Sequence, residues 1–349
     1  MKIPCEIDFP EQKDCENMNE SEIILEIKDL CVEFQSAEGT VKAVNRLDYV
    51  LRKGEKLGIV GESGSGKSVS SLGVMQLIPN PPGKITQGNI IYKGKDLVKA
   101  TEKEMQKIRG NEISMIFQEP MTSLNPIVPC GKQIAETLRL HRGMKKKEAM
   151  DEAVKMMKAV GIANAEARVH EYPHQMSGGM RQRVMIAMAL ACRPQILIAD
   201  EPTTALDVTI QAQILDLIRK LNEEMGTSVL FITHDLGVVN ELCDTVIVMY
   251  CGRIVERASV KDLFNKPLHP YSIGLLNAIP KITKERAPLE TIEGMVPNPT
   301  EKIEGCSFWP RCPHATERCR TAAPEMLDMG DDRLVRCWLY ADGEQEVSQ

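Results

Sequence analysis

The chain has 349 residues, of which 43% are hydrophobic and 26% charged, so it has room for one large globular domain with an appendage or for two domains. Its formal net charge of −6 gives no general attraction to nucleic acid. The longest apolar runs, such as residues 184–192, are about half the length needed to cross a bilayer, so we expect any role at a membrane to come through a partner.

Cysteine is distributed unevenly along the chain. Residues 1–22 are polar and acidic and lack the apolar core of a secretory signal, so we expect a reducing compartment in which the eleven cysteines do not form disulfides. Seven of them are scattered, several in apolar runs that are typical of small buried side chains. The other four cluster after residue 305, and that asymmetry singles out Cys306, Cys312, Cys319 and Cys337.

The first half of the chain predicts strands, then a buried strand followed by a helix, then a helical region. Residues 1–22 lack periodicity and predict a loose tail, whereas the alternation within residues 41–54 predicts an antiparallel ribbon. The apolar run at 57–61 predicts a short strand that ends in glycine, with a helix beginning near Lys67. Between about 130 and 170 the pattern is helical, and its basic stretch is expected to cover a solvated helix face.

The second half predicts two more buried strands with a helix between them. The runs at 195–200 and 228–234 are of the parallel-sheet type, and strand, helix, strand in this order predicts a doubly wound α/β arrangement. Apolar residues between them fall on one helical face, namely Ile210, Ile214, Leu217, Ile218 and Leu221. After about residue 260, frequent prolines predict a linker that leads to a small C-terminal module.

The stretch GESGSGKS, between the first buried strand and its helix, fits the P-loop pattern. Its glycines let backbone N–H groups surround a β-phosphate, and the helix N-terminus adds partial positive charge. Lys67 supplies a charge for the β- and γ-phosphates, and the Ser68 hydroxyl is a ligand for Mg²⁺. The sequence therefore predicts an ATP and Mg²⁺ site formed by Gly61, Glu62, Ser63, Gly64, Ser65, Gly66, Lys67 and Ser68.

Two adjacent carboxylates follow the strand in ILIADEPTTALD. Asp200, at the strand end, is placed to hold Mg²⁺ through water. Glu201 beside it is placed to orient and deprotonate the attacking water. An acidic strand end could also be a helix cap, but its combination with a P-loop favours a nucleotide-hydrolysing site.

A second anion-binding helix start lies in MSGGMRQR, where Ser177, Gly178 and Gly179 precede a helix. One phosphate group needs only one P-loop, so the second site suggests that two chains share each nucleotide. With these motifs the sequence resembles the nucleotide-binding subunit of an ABC transporter over about residues 23–260. That resemblance implies an α/β fold with a parallel-sheet core, an antiparallel β subdomain and a helical subdomain at about 120–180.

The resemblance implies further site residues. Gln118 matches the Q-loop glutamine, a catalytic residue that senses Mg²⁺ and touches the membrane subunit. Asp207 matches the D-loop aspartate, and His234 the switch histidine that contacts the γ-phosphate. Phe34 resembles the aromatic residue that stacks on adenine, and Glu201 the catalytic glutamate. The signature residues Ser177, Gly178 and Gly179, with Asp207, would contact ATP held by the opposing subunit.

The family signature usually ends in Gln, and here the residue is Met180. We expect fewer polar contacts at the seam between the two subunits, with ATP binding retained.

Three stretches outside the ATP site resemble the ATPases of oligopeptide/dipeptide importers, and more loosely of nickel importers: QEPMTSLNP, HPYSIGLLNAIP and VPNPTEKIEGCSFWPRCPHATERC. The resemblance implies an ATP-driven motor subunit at the cytoplasmic face of the cell membrane, with a C-terminal extension at 261–349. Its implied partners are two transmembrane permease subunits, an extracytoplasmic substrate-binding protein and a second ATPase. In this family the second ATPase is more often a related chain than an identical copy.

The four clustered cysteines allow three interpretations. Their intervals of 5, 6 and 17 residues lack the close pairs of a zinc ribbon. Four thiolates can hold a 4Fe–4S cluster at looser spacing, and the tail resembles importer ATPases that carry one. We expect such a cluster to brace a small module, with a zinc site or reduced structural thiols as the alternatives.

The competing class is that of ABC-type ATPases that act on nucleic acid. Those chains usually carry long coiled-coil insertions, two ATPase halves or basic extensions. This sequence shows one P-loop, one signature and an acidic balance, so we expect no nucleic-acid partner.

Overall fold

The computed structural model describes residues 22–118, 123–203, 207–279, 291–301 and 303–341. The predicted tail at 1–22 lies outside these residues except for Glu22. The strands, in chain order, are β1 (Ile23–Ser36), β2 (Gly39–Arg52), β3 (Lys56–Val60), β4 (Gly83–Tyr92), β5 (Lys95–Asp96), β6 (Ile113–Ile116), β7 (Ile196–Asp200), β8 (Ser228–Ile232), β9 (Thr245–Tyr250), β10 (Arg253–Ser259), β11 (Leu327–Asp328) and β12 (Leu334–Val335).

Most helices lie between or after the strands of the second half. They are α1 (Lys67–Val74), α2 (Glu102–Ile108), α3 (Cys130–Arg142), α4 (Lys146–Ala159), α5 (Ala165–Arg168), α6 (Gly178–Leu190), α7 (Val208–Met225), α8 (Leu236–Leu242), α9 (Val260–Asn265), α10 (Pro270–Asn277) and α11 (Glu317–Thr321). Within the described parts of the chain no helix is both long and apolar enough to span a membrane.

The larger sheet has the strand order β11-β12-β10-β9-β3-β8-β7-β6. Strands β9, β3, β8, β7 and β6 pair in parallel. Residues of β7 and β8 are buried throughout, as expected of parallel strands that are covered on both faces. The doubly wound arrangement predicted from the apolar runs at 57–61, 195–200 and 228–234 is confirmed.

The smaller sheet is antiparallel, with the order β2-β1-β4-β5. The ribbon predicted at 41–54 is strand β2, which pairs with β1. Leu25, Leu47 and Ile90 of this sheet share one core with Ile59 and Ile198 of the larger sheet, so apolar burial joins the two sheets directly.

A second core lies on the side of the larger sheet that the helices cover. On α7 the predicted apolar face is confirmed, because Ile214 and Ile218 are fully buried there. Its flanking positions Ile210, Leu217 and Leu221 are partly buried and pack against the same core. Helices α3 to α5 fall in the region where a helical pattern was predicted, and the basic residues at 145–147 are exposed as expected.

The C-terminal residues extend the larger sheet, so a separate Cys-rich module is not supported. Strand β12 pairs with β10 through Glu256↔Val335. This pairing covers an edge of β10 that would otherwise be unpaired. Phe308 is 2% exposed. Its ring centroid lies 5.2 Å from that of Tyr250 on β9 and 5.4 Å from that of Tyr271 on α10.

We expect Phe308→Ala to lower the free energy of unfolding of the domain that contains both sheets by about 3–5 kcal/mol, because it removes a buried ring from the second core. Urea unfolding followed by circular dichroism measures this change. Met295→Ala, at a position that is 88% exposed, is the matched control and should change it by about 0.5 kcal/mol or less. An unchanged main transition in Phe308→Ala would mean that the C-terminal segment folds independently.

Candidate functional site

The predicted phosphate loop lies between β3 and α1, as the sequence indicates. Gly61, Gly64 and Gly66 have φ values of 152°, 78° and 96°, a region that side chains disfavour. A Cβ on Gly66 would lie 2.2 Å from the Ala43 carbonyl oxygen, and a Cβ on Gly61 equally close to that of Met249. Gly61 and Gly66 therefore require glycine for both conformation and space, whereas Gly64 requires it for conformation alone.

The remaining loop residues differ in exposure. Ser63 and Gly64 at the tip are exposed, whereas Ser65 and Lys67 are buried. The Lys67 ammonium donates hydrogen bonds to the carbonyl oxygens of Gly61 at 2.7 Å and of Glu62 at 2.9 Å. Burial lowers the pKa of Lys67. A buried ammonium of this kind is well placed to favour an incoming phosphate.

Ser68 and Asp200 meet although they are distant in sequence. The Ser68 hydroxyl donates to an Asp200 carboxylate oxygen at 3.0 Å, which joins the start of α1 to the end of β7. Burial raises the pKa of Asp200 to about 6, so a cation beside the carboxylate would favour its charged form. Hydroxyl and carboxylate oxygens are the ligand type that Mg²⁺ prefers, and this pair fits that ion.

Glu201 brings together three predicted catalytic residues. Its carboxylate accepts a hydrogen bond from the Gln118 amide nitrogen at 3.0 Å, and its other oxygen lies 3.1 Å from His234 Nδ1. Gln118, Glu201 and His234 follow the neighbouring strands β6, β7 and β8. Glu201 itself has a φ of 46°, an uncommon conformation for a non-glycine residue that often marks functional sites.

Phe34 is on β1 of the smaller sheet, opposite Val41. It is half-buried, and its ring lies over Gly83, where an added Cβ would approach to 2.6 Å. No hydrogen bond or ring contact among the described residues joins Phe34 to the phosphate loop, so its role as the adenine-stacking residue stays a prediction.

The signature residues form the N-terminus of α6. The Ser177 hydroxyl caps this helix by accepting from the Met180 N–H at 3.4 Å, and Gly178 is exposed with open space around it. Met180 is half-buried and packs against the second core, which accounts for an apolar residue at this position. Asp207 is exposed and caps α7 by accepting from the Ile210 N–H at 3.0 Å.

The four clustered cysteines line one cavity of about 210 Å³, together with Trp309 and Trp338. The predictions of a 4Fe–4S cluster and of zinc as its alternative are nevertheless wrong. Among the described residues, which include all four cysteines, no group of three or more His, Cys, Asp or Glu side chains is placed to hold a metal ion.

The four clustered cysteines are half-buried or buried. Burial raises the pKa of Cys312 to about 11 and of Cys337 to about 12. Burial in apolar surroundings favours the neutral thiol over the thiolate. Cys306, Cys312, Cys319 and Cys337 are free thiols, and Cys306 and Cys312 pack against the second core.

Two residues at the loop were not singled out from the sequence. Tyr271 of α10 and Arg311 of the 3₁₀ turn Trp309–Arg311 both hydrogen-bond Glu62. Both lie within stretches that carry the importer resemblance, but nothing in the local pattern indicates contact with a loop more than two hundred residues earlier.

Comparison with known proteins gives two family matches. The model of the ABC transporter family matches residues 44–204. The model described as the C-terminal region of oligopeptide/dipeptide transporters matches residues 255–319. The two matches include most of the predicted ATP site and much of the C-terminal segment.

Curated relatives match almost end to end. The oligopeptide transport ATP-binding protein AppD of Bacillus subtilis is 54% identical over 325 residues, or 93% of this chain and 99% of that protein. OppD of Salmonella typhimurium, with the same description, is 53% identical over 317 residues, or 90% of this chain and 93% of its own.

Among solved structures, a dimeric post-hydrolysis state of the ATP-binding cassette MJ0796 bound to ADP and Pi is similar, with a TM-score of 0.62 and 29% identity. The match covers 68% of this chain and 98% of that one. CbiO1 from Clostridium perfringens matches with a TM-score of 0.58 and 25% identity over 70% of this chain and 92% of its own. Together with the loop and carboxylate geometry, these similarities show that the chain is an ABC-type ATPase and belongs to the oligopeptide/dipeptide branch of the ABC transporter family.

Proposed function

We propose that this chain is the motor subunit that couples ATP hydrolysis to the import of di- and oligopeptides through a membrane permease. The observation that carries the proposal is the hydrogen-bonded group of Gln118, Glu201 and His234 beside the Ser68–Asp200 pair. The relatives of this chain are named oligopeptide transport ATP-binding proteins, and they match it over nearly their whole length.

Each residue has a distinct role in the proposed chemistry. The loop 61–68 binds the β-phosphate, and Lys67 places its charge against the β- and γ-phosphates. Ser68 and Asp200 would hold Mg²⁺, which supplies neutralising charge at the phosphates. Glu201 accepts the proton of the attacking water, while His234 contacts the γ-phosphate.

Gln118 has a second role in the proposal. Its amide nitrogen donates a hydrogen bond to Glu201 at 3.0 Å, and as the Q-loop glutamine it would also touch a permease subunit. Hydrolysis in the ATP site is thereby linked to the membrane subunits through a single hydrogen-bonded side chain.

The exposed signature suggests a second ATPase subunit. The N-terminus of α6, with Ser177, Gly178 and Gly179, is where partial positive charge would meet a phosphate of the opposing subunit. Asp207 at the start of α7 would lie at the same seam. The similar cassette MJ0796 is described as a dimer, and we propose a related chain as the partner here.

The remaining partners follow from the importer assignment. We propose two transmembrane permease subunits, an extracytoplasmic substrate-binding protein and a peripheral position at the cytoplasmic face of the membrane. We further propose an ATP-binding domain at residues 23–260, with a helical subdomain at about 120–180, and an extension at 261–349.

Reconstitution tests the proposed function. The chain, its permeases, its partner ATPase and its binding protein, placed together in proteoliposomes, should accumulate a labelled di- or oligopeptide only when MgATP is present. Peptide should also stimulate ATP hydrolysis. Stimulation by Ni²⁺ with none by peptide would contradict the peptide assignment while leaving the motor function intact.

We expect Lys67→Ala to weaken ATP binding at least about tenfold, because charge-assisted contacts to phosphate are lost. Isothermal titration with MgATP measures the dissociation constant. Lys155→Ala, which removes an exposed lysine paired with Glu152 on α4, is the matched control and should leave binding unchanged. Equal affinities in the two variants would show that loop 61–68 is not the phosphate site.

We expect Glu201→Gln to retain ATP binding, to lose about 10²–10⁴ in hydrolysis rate, and to accumulate an ATP-bound dimer. The amide keeps the size of the side chain but cannot accept the proton of water. Phosphate release and size-exclusion chromatography with MgATP measure the two effects. Glu223→Gln, an exposed position on α7, is the control. Turnover at the wild-type rate in Glu201→Gln would remove Glu201 from the role of base.

A further inference from the structure

Glu62, the second residue of the phosphate loop, is held by residues of the C-terminal segment. Its N–H donates to the Tyr271 hydroxyl at 2.9 Å. Its carboxylate receives two hydrogen bonds from the Arg311 guanidinium, at 2.7 and 3.1 Å. Its carbonyl accepts from the Lys67 ammonium at 2.9 Å. Backbone and side chain of this one residue therefore connect the C-terminal segment to the lysine of the loop.

Arg311 is itself fixed from several directions. Its side chain is 5% exposed, against 29% for that of Glu62. Its Nε donates to the Glu293 carbonyl at 3.1 Å, and one Nη donates to that of Ile292 at 3.3 Å. The other Nη lies 3.4 Å from the Tyr250 hydroxyl. A guanidinium with so many partners keeps one orientation, and two-point pairing with a carboxylate is the geometry it favours.

A carboxylate in this position carries an electrostatic cost for nucleotide binding. The loop binds the most negative part of ATP, and a negative charge close to Lys67 opposes that binding. Arg311 supplies the compensating positive charge, and partial burial of the pair limits screening by salt. The bidentate contact also fixes the orientation of the Glu62 side chain.

We infer that Arg311 is a positioning residue of the ATP site, which acts through Glu62 to neutralise and fix the phosphate loop. The C-terminal segment 291–341 thereby sets the affinity of the loop for nucleotide, in addition to extending the sheet. This inference rests on the proposed role of residues 61–68 in phosphate binding.

Arg311→Gln in the full-length chain tests it. We expect the dissociation constant and KM for MgATP to rise about tenfold, with kcat changed by less than about threefold, because an uncompensated carboxylate weakens binding more than the chemical step. Arg311→Lys, which keeps the charge but not the two-point pairing, should raise both constants by only about threefold. Arg320→Gln, which removes an exposed arginine from the same segment, is the matched control and should leave both constants unchanged.

The double variant Glu62→Gln/Arg311→Gln separates charge compensation from general support of the fold. Because the repelling carboxylate is gone, we expect its affinity for MgATP to return to within about threefold of the wild-type value. If Arg311→Gln alone does not fold, the double variant should still fold and bind MgATP. A double variant that is as weak as Arg311→Gln, or that also fails to fold, would overturn the inference, as would an unchanged KM in Arg311→Gln.

Comparison with Lys67→Ala separates a failure of this inference from a failure of the assignment of loop 61–68 to phosphate binding. Weak binding in Lys67→Ala with normal binding in Arg311→Gln contradicts the role of Arg311 alone. Normal binding in both contradicts the phosphate site itself.

Discussion

Parallel pairing of β3, β8, β7 and β6 is the constraint on which the ATP site depends. The carboxyl ends of parallel strands meet at one edge of the sheet, so the residues that follow them are brought together whatever their separation in sequence. Hydrogen bonds tie these ends to one another, from the Glu201 N–H to the Ile232 carbonyl and from the Thr233 N–H to that of Ile59. The same edge of this buried sheet therefore carries the phosphate loop, Asp200, Glu201 and His234.

Charge is concentrated at this edge, and neighbouring groups compensate it in part. Lys67 and Asp200 are both buried, and burial opposes the charged form of each side chain. Glu201 shares its carboxylate between Gln118 and His234, while Glu62 is paired with Arg311. The carboxylate proposed as the base is thus oriented by two partners, and the carboxylate of the phosphate loop is paired with a cation.

The sequence predicted the parts of the site that depend on local pattern. GESGSGKS and ILIAD each combine a buried strand with the residues that follow it, so strand, turn and chemistry could be predicted together. The grouping of Gln118, Glu201 and His234 came from resemblance, because spacing alone does not fix which strands are neighbours. The C-terminal segment was harder, since the pairing of β12 with β10 and the position of Phe308 depend on shape complementarity that no local pattern records. The short intervals between the clustered cysteines indicated that they lie near one another, and the structure places all four around one cavity. Those intervals do not determine the distances between the sulfur atoms, on which a metal site depends.

The contact between Glu62 and Arg311 spans 249 residues, and this separation has a consequence for synthesis. At about 5–20 residues per second, a ribosome needs roughly 12–50 s to pass from the loop to its arginine. During that interval the nascent chain carries a P-loop whose carboxylate has no cation opposite it. Strand β10, once synthesised, has no neighbour at its outer edge until β12 follows. On the proposed role of Arg311, full nucleotide affinity is reached only when segment 291–341 docks, which delays tight binding of ATP until that segment has been synthesised.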